Sequence, residues 1–127
     1  MQEIKKIAIK VPQAYLDLVN QIFEIEKKAN NIKEENSIQR NINRINSLLE
    51  NGFFKDCGLS YHNPLGEDYT DTRTDCEATI QGEDKGFLEI IEVFKPIIFY
   101  SYKENENIIK IIAQPAVVIV QSKNTHQ

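Results

Sequence analysis

The chain has no apolar run long enough to span a membrane, and its N-terminal apolar stretch, residues 7–11, is cut short at Pro12. That stretch is too brief for a secretory core, so the expected location is cytoplasmic, without membrane contact. Cysteine is scarce. Two residues, Cys57 and Cys76, build no disulfide framework and are expected as free, mostly buried thiols. Together with His62 they lack both a paired C-x-x-C spacing and a fourth ligand, so a metal site is not expected. Histidine is nearly absent: apart from His126 near the end, His62 is the one possible base. There is no Gly-rich phosphate loop and no G-x-S-x-G. Glu67, Asp68, Asp71 and Asp75 lie in a turn-rich stretch but miss the ligand ladder of an EF-hand. These absences point to a non-enzymatic protein without a cofactor.

Charge is present but uneven. The net charge is −4, and residues 56–92 hold ten acidic side chains against Arg73 and Lys85. Nucleic acid is excluded as the main partner, since phosphate contacts need clustered Lys and Arg. Tyr61, Tyr69, Tyr100 and Tyr102 have no basic groove beside them to make a stacking platform. The acidic middle suits either a solvated loop or contact with a basic protein surface.

Two apolar series at helical spacing fill the first half. Leu16, Val19, Ile22 or Phe23, Ile25 or Glu26, Ala29 and Ile32 form one, and Ile38, Ile42, Ile45, Leu48 and Leu49 the other, with Gly52 placed to stop the helix. The join is out of step, since Ile32 to Ile38 is six residues. Either one helix runs through, or it breaks and Ser37 caps a second. With no Gly or Pro between them, one long helix over residues 13–51 is the preferred expectation, about 60 Å in length. Its stripe is narrow and resembles a coiled-coil seam. Self-association through Ile22, Ile25, Ala29, Ile32, Ile38, Ile42, Ile45 and Leu49 is therefore expected. The alternative is a monomer whose helix folds back as a hairpin on the rest of the chain.

Beyond Gly52 the pattern changes. Residues 53–74 read as loop, with turns at Asn63-Pro64 and Leu65-Gly66. Strands are expected over residues 76–81, 87–94, 97–102, 108–112 and 116–121, the last opened by Pro115 and rich in β-branched side chains. The fold class is α+β: a helical segment over residues 1–54 and a small β-rich head over residues 55–127, with the strands in an antiparallel sheet or small barrel.

From residue 58 to 121 the chain resembles the head of GrpE, the nucleotide exchange factor of DnaK-type chaperones. Gly66-Glu67-Asp68-Tyr69-Thr70-Asp71 matches the family's G-x-x-F-D-P loop, and Cys76-Glu77-Ala78-Thr79 its H-E-A-V. Leu88-Glu89-Ile90-Ile91-Glu92-Val93 and Lys95-Pro96-Ile97 occupy the places of its V-x-E-V-x strand and K-G-Y corner. The closing Gln114-Pro115-Ala116-Val117-Val118-Ile119-Val120 matches R-P-A-x-V-x-V and is the most specific element. The chain departs from the family at Cys76, at Pro96-Ile97 and at Gln114, and its helical part is shorter. The resemblance implies a homodimeric, non-enzymatic co-chaperone that binds a DnaK-type ATPase domain and promotes nucleotide release. Lys95, Ile111, Gln114 and Val120 would be contact positions. The alternative is an interaction or assembly protein that keeps the fold without exchange activity.

Overall fold

The computed structural model describes residues 11–32, 37–51, 57–84 and 86–123. The expected helix stop at Gly52 and His126 lie outside them, as does the apolar stretch over residues 7–11 except for Val11. Helix α1 spans Gln13–Asn30 and α2 spans Ile38–Asn51. Seven strands follow: β1 Gly58–His62, β2 Asp68–Tyr69, β3 Cys76–Gln81, β4 Leu88–Lys95, β5 Ile97–Glu104, β6 Asn107–Gln114 and β7 Ala116–Ser122. The class is α+β, as expected.

The strands form two sheets rather than one. One has the order β1-β5-β6 and the other β2-β4-β7-β3. The pairings are antiparallel except between β3 and β7, which run parallel with Cys76 opposite Ala116. The chain changes sheet three times: between β1 and β2 it crosses by a loop over residues 63–67, and the other two crossings take one proline each, with Pro96 separating β4 from β5 and Pro115 separating β6 from β7. Proline has no N–H, so a one-residue junction between sheets leaves no ladder donor stranded there.

The three-stranded sheet is the middle layer, and β5 shows this by alternation. Ile97 and Phe99 face the four-stranded sheet, packing with Leu88, Ile90, Val93, Val118 and Val120. Ile98 and Tyr100 face the helices, packing with Leu16, Val19, Ile22 and Leu49. The period of two along a strand thus feeds two cores from one element.

The single long helix is corrected. At the end of α1, the Asn31 and Ile32 amides donate to the Lys28 and Ala29 carbonyls, both at 3.2 Å, closing the helix with a tightened turn. Ser37 then supplies the carbonyl that accepts from Arg40 and Asn41 at the start of α2. The two helices pack on each other and on the sheet. The physical reason lies in the offset between the two stripes. A straight helix would rotate one stripe away from the sheet, whereas a turn lets each meet it. Ile22, Ala29, Ile42 and Leu49 of the expected seam are buried within the chain, and Ile38 is half-buried. Ile25, Ile32 and Ile45 remain 49%, 46% and 37% exposed.

Residues 53–74 also contain more structure than expected. Within the turn-rich stretch lie β1 and the two-residue β2, paired with β5 and β4. Gly58 opens β1 against the end of α2. A Cβ there would stand 2.0 Å from the Glu50 carbonyl oxygen and 2.7 Å from that of Leu49. Both atoms are backbone and have no rotamer with which to retreat.

Gly58→Ala is therefore expected to force α2 off β1 and destabilise the fold by about 2–3 kcal/mol. Urea denaturation followed by circular dichroism measures it. A loss below about 0.5 kcal/mol, the range of neutral surface changes, would show that α2 is not pinned there.

Candidate functional site

Two polar assemblies and an outer sheet face are where chemistry or binding can reside. The first assembly joins helices and head. Tyr61 on β1 donates its hydroxyl hydrogen to Glu26 Oε1 at 2.7 Å and accepts from Asn46 Nδ2 at 3.4 Å. Gln39 Nε2 donates to Glu26 Oε2 at 3.3 Å, so α1, α2 and β1 meet at one carboxylate. The Tyr61 ring stands edge-on to Phe23, with centroids 6.1 Å apart. Lys27 extends from the next turn to the Val93 carbonyl at 3.2 Å, linking α1 to the far sheet. Burial, then the Glu26 carboxylate, pushes the Tyr61 phenol up to about 12 from 10.0.

The second assembly braces the acidic loop. Arg73 Nε and Nη2 donate to the two Asp75 oxygens at 2.9 and 3.0 Å, a bidentate fork. Its Nη1 donates to the Asp68 carbonyl at 2.9 Å and lies 3.2 Å from Glu67 Oε1. The other Glu67 oxygen meets His62, and Lys123 meets the Asp68 carboxylate. The Arg73 hydrogen bonds hold Asp75 below the usual carboxylate range. Three of the four carboxylates considered as calcium ligands are thus engaged by cationic or imidazole partners. Among the described residues, no group of three or more His, Cys, Asp or Glu side chains is placed to hold a metal ion.

The two cysteines and His62, weighed as metal ligands or as a base, are dispersed. Cys76 lies in the core between the sheets, where burial pushes its thiol up to about 11. Cys57 shares a hydrogen bond with Tyr100, on the helix side of the middle sheet. A cleft of about 620 Å³ is bordered by Ser60, His62, Phe99, Ser101 and Lys110. Among the described residues, neither serine hydrogen-bonds to His62, so no activated hydroxyl is assembled there. No described helix is long and apolar enough to cross a membrane.

The four contact positions inferred from the resemblance have different fates. Lys95 is exposed at the end of β4, and Ile111 is half-buried on β6. Val120 is fully buried and cannot supply apolar contact to a partner, because it fills the head's own core. Gln114 is committed internally. It exchanges two side-chain hydrogen bonds with Asn20, at 3.1 and 3.0 Å, and donates to the Pro96 carbonyl at 3.3 Å. The surface apolar residues of β7 are instead Val117 and Ile119, half-buried on the outer face. Their register neighbours are Glu77 and Lys95 around Val117, and Thr79 and Glu92 around Ile119. The face therefore has an apolar centre and a charged rim, the composition of a protein contact. Comparison with protein-family models, curated proteins and solved structures gives no match in any of the three.

The helix–head joint generates a pH dependence. Because the Tyr61 phenol is raised in the folded state, its contribution is full below pH 10 and is lost as pH climbs toward about 12. Tyr61→Phe is expected to lose about 1–2 kcal/mol at neutral pH and to show a shallower alkaline decline than wild type. Urea midpoints at pH 8 and 11 test this. Identical declines in the two proteins would remove Tyr61 from the linkage.

Proposed function

We propose that the chain is a non-enzymatic cytoplasmic co-chaperone, homodimeric, that binds a DnaK-type ATPase domain and favours nucleotide release. The observation that carries the reading is the placement of its motif strands. Cys76-Glu77-Ala78-Thr79 and Ala116-Val117-Val118-Ile119 lie side by side in parallel register, with β4 on the other side of β7. Three segments of the resemblance, far apart in sequence, thus build one sheet. Its outer face offers Lys95, Val117, Ile119, Glu92 and Glu77 as the docking surface.

The mechanism is linkage. A partner that binds the open ATPase domain more tightly than the nucleotide-closed one must weaken nucleotide binding by the same free energy. No group on the head needs to touch the nucleotide. What the head needs is a fixed shape, and two packed cores and the braced loop support that requirement.

The assembly-protein alternative is favoured by one observation. Gln114 and Val120, two of the positions the resemblance assigns to chaperone contact, are turned to internal use.

The two readings separate in one assay. Release of a fluorescent ADP analogue from a DnaK-type chaperone of the same cell is expected to accelerate with wild-type protein. It is expected to fall at least about tenfold with Lys95→Glu combined with Val117→Asp, since the pair places charge in an apolar contact. Circular dichroism checks that the variant stays folded. No acceleration by wild type would favour the assembly role.

A further inference from the structure

The edge strand β6 is unusually open. It lies outermost in the order β1-β5-β6, and among the described residues no strand pairs with its free side. The other sheet edges are better covered or weaker as templates. β1 abuts α2, and β2 has two residues. β3 is six residues long and carries Glu77. β6 reads Asn-Ile-Ile-Lys-Ile-Ile-Ala-Gln, with Ile108 77% and Ile112 40% exposed. Its one charge does not guard the edge: the Lys110 amine lies 4.3 Å from the Phe99 ring centre, over its own sheet. Soluble proteins normally blunt such an edge with charge, proline or a covering element.

We propose that β6 pairs antiparallel with β6 of a second copy of this chain, giving a continuous six-stranded sheet across a two-fold axis. The proposal shares only self-association with the co-chaperone reading, and it moves the interface from helix to strand. The register follows from charge and backbone. A two-fold normal to the sheet keeps each residue on its own face, so one residue must meet its own copy on the axis. Lys110 on the axis would oppose two ammonium groups, which is unfavourable. Ile111 on the axis would carry the pairing into Ala113, the extra residue between the Phe99–Ile112 and Ile98–Gln114 pairs. Ile109 on the axis avoids both. It lays the Lys110 stem against the exposed Ile108 of the other copy and brings Glu106 near that lysine diagonally, within reach of opposite charges.

The test uses the full chain with Cys57→Ser, Cys76 being buried. Sedimentation at tens of micromolar is expected to show a dimer. Ile109→Cys is expected to form a disulfide-linked dimer on mild oxidation, because facing residues of an antiparallel pair lie about 4.5–5.5 Å apart at Cα. Lys110→Cys and Ile111→Cys are expected not to. Ile108→Lys is expected to weaken association about tenfold or more by facing Lys110 of the other copy. Ile108 is exposed, so folding is unaffected. A monomeric wild type would end both this proposal and the self-association part of the functional reading. A dimer that survives Ile108→Lys but is lost on Ile25→Asp would overturn the strand interface and assign association to the helices. Crosslinking at Lys110→Cys or Ile111→Cys in place of Ile109→Cys would overturn the register.

Discussion

The fold depends on how the chain passes between its two sheets. The two passages that flank the β5–β6 hairpin each take one proline, and they lie together, because the Pro96 carbonyl accepts from Gln114, the residue before Pro115. The amide exchange between Gln114 and Asn20 then ties this corner to α1. The corner sets the alternation that follows. Once Ile97 points toward the four-stranded sheet, Ile98 must point toward the helices, and each core receives its residues. A slip of one residue at either proline would exchange the two faces.

The same layout explains why the helices fold back. The middle sheet presents Leu59, Ile98, Tyr100 and Ala113 on its helix side, and covering that side buries Leu16, Val19, Ile22 and Leu49 in return. Each fully buried large apolar side chain contributes about 1.5–3 kcal/mol. A coiled-coil seam offers the same helices comparable burial but leaves the sheet bare. Packing on the sheet satisfies both surfaces at once. Ile25, Ile32 and Ile45, all still exposed, are what remains of the seam.

The sequence was legible where its periodicity was local. The five longer strands stand within one or two residues of the β-branched runs, and the two helical stripes mark the two helices. β1 and β2 were hidden because Gly58, Ser60, His62 and Asp68 carry turn chemistry, and a strand pairing with distant β5 or β4 need not show it in its own composition. The break after Asn30 was visible as a phase offset, but neither Gly nor Pro signalled it. For the candidate site, alternation along residues 116–120 separated Val118 and Val120 from Val117 and Ile119. It did not show which pair faced inward. That depends on β3, β4 and the middle sheet. Gln114 presents the same limit more sharply, since its partner Asn20 is 94 positions away. Arg73 was apparent only as one of two cations in an acidic stretch. Its role comes from the turn that brings Glu67, Asp68 and Asp75 around one guanidinium.

Arg73 also alters what the acidic stretch can do. A loop of unpaired carboxylates repels itself and samples many shapes, and binding then has to overcome the entropy of ordering it. Pairing Glu67 and Asp75 through one planar cation removes much of that repulsion and fixes the approach to β3. On the exchange-factor reading this is consequential, since a head can shift an ATPase domain only by the difference in its affinity for two states. A head that deformed to fit both would bind both alike and shift neither. The stiffness imposed by the proline corners, the Tyr61 joint and the Arg73 brace is therefore the physical property that the proposed function requires. An assembly protein that needed affinity alone would have less use for it.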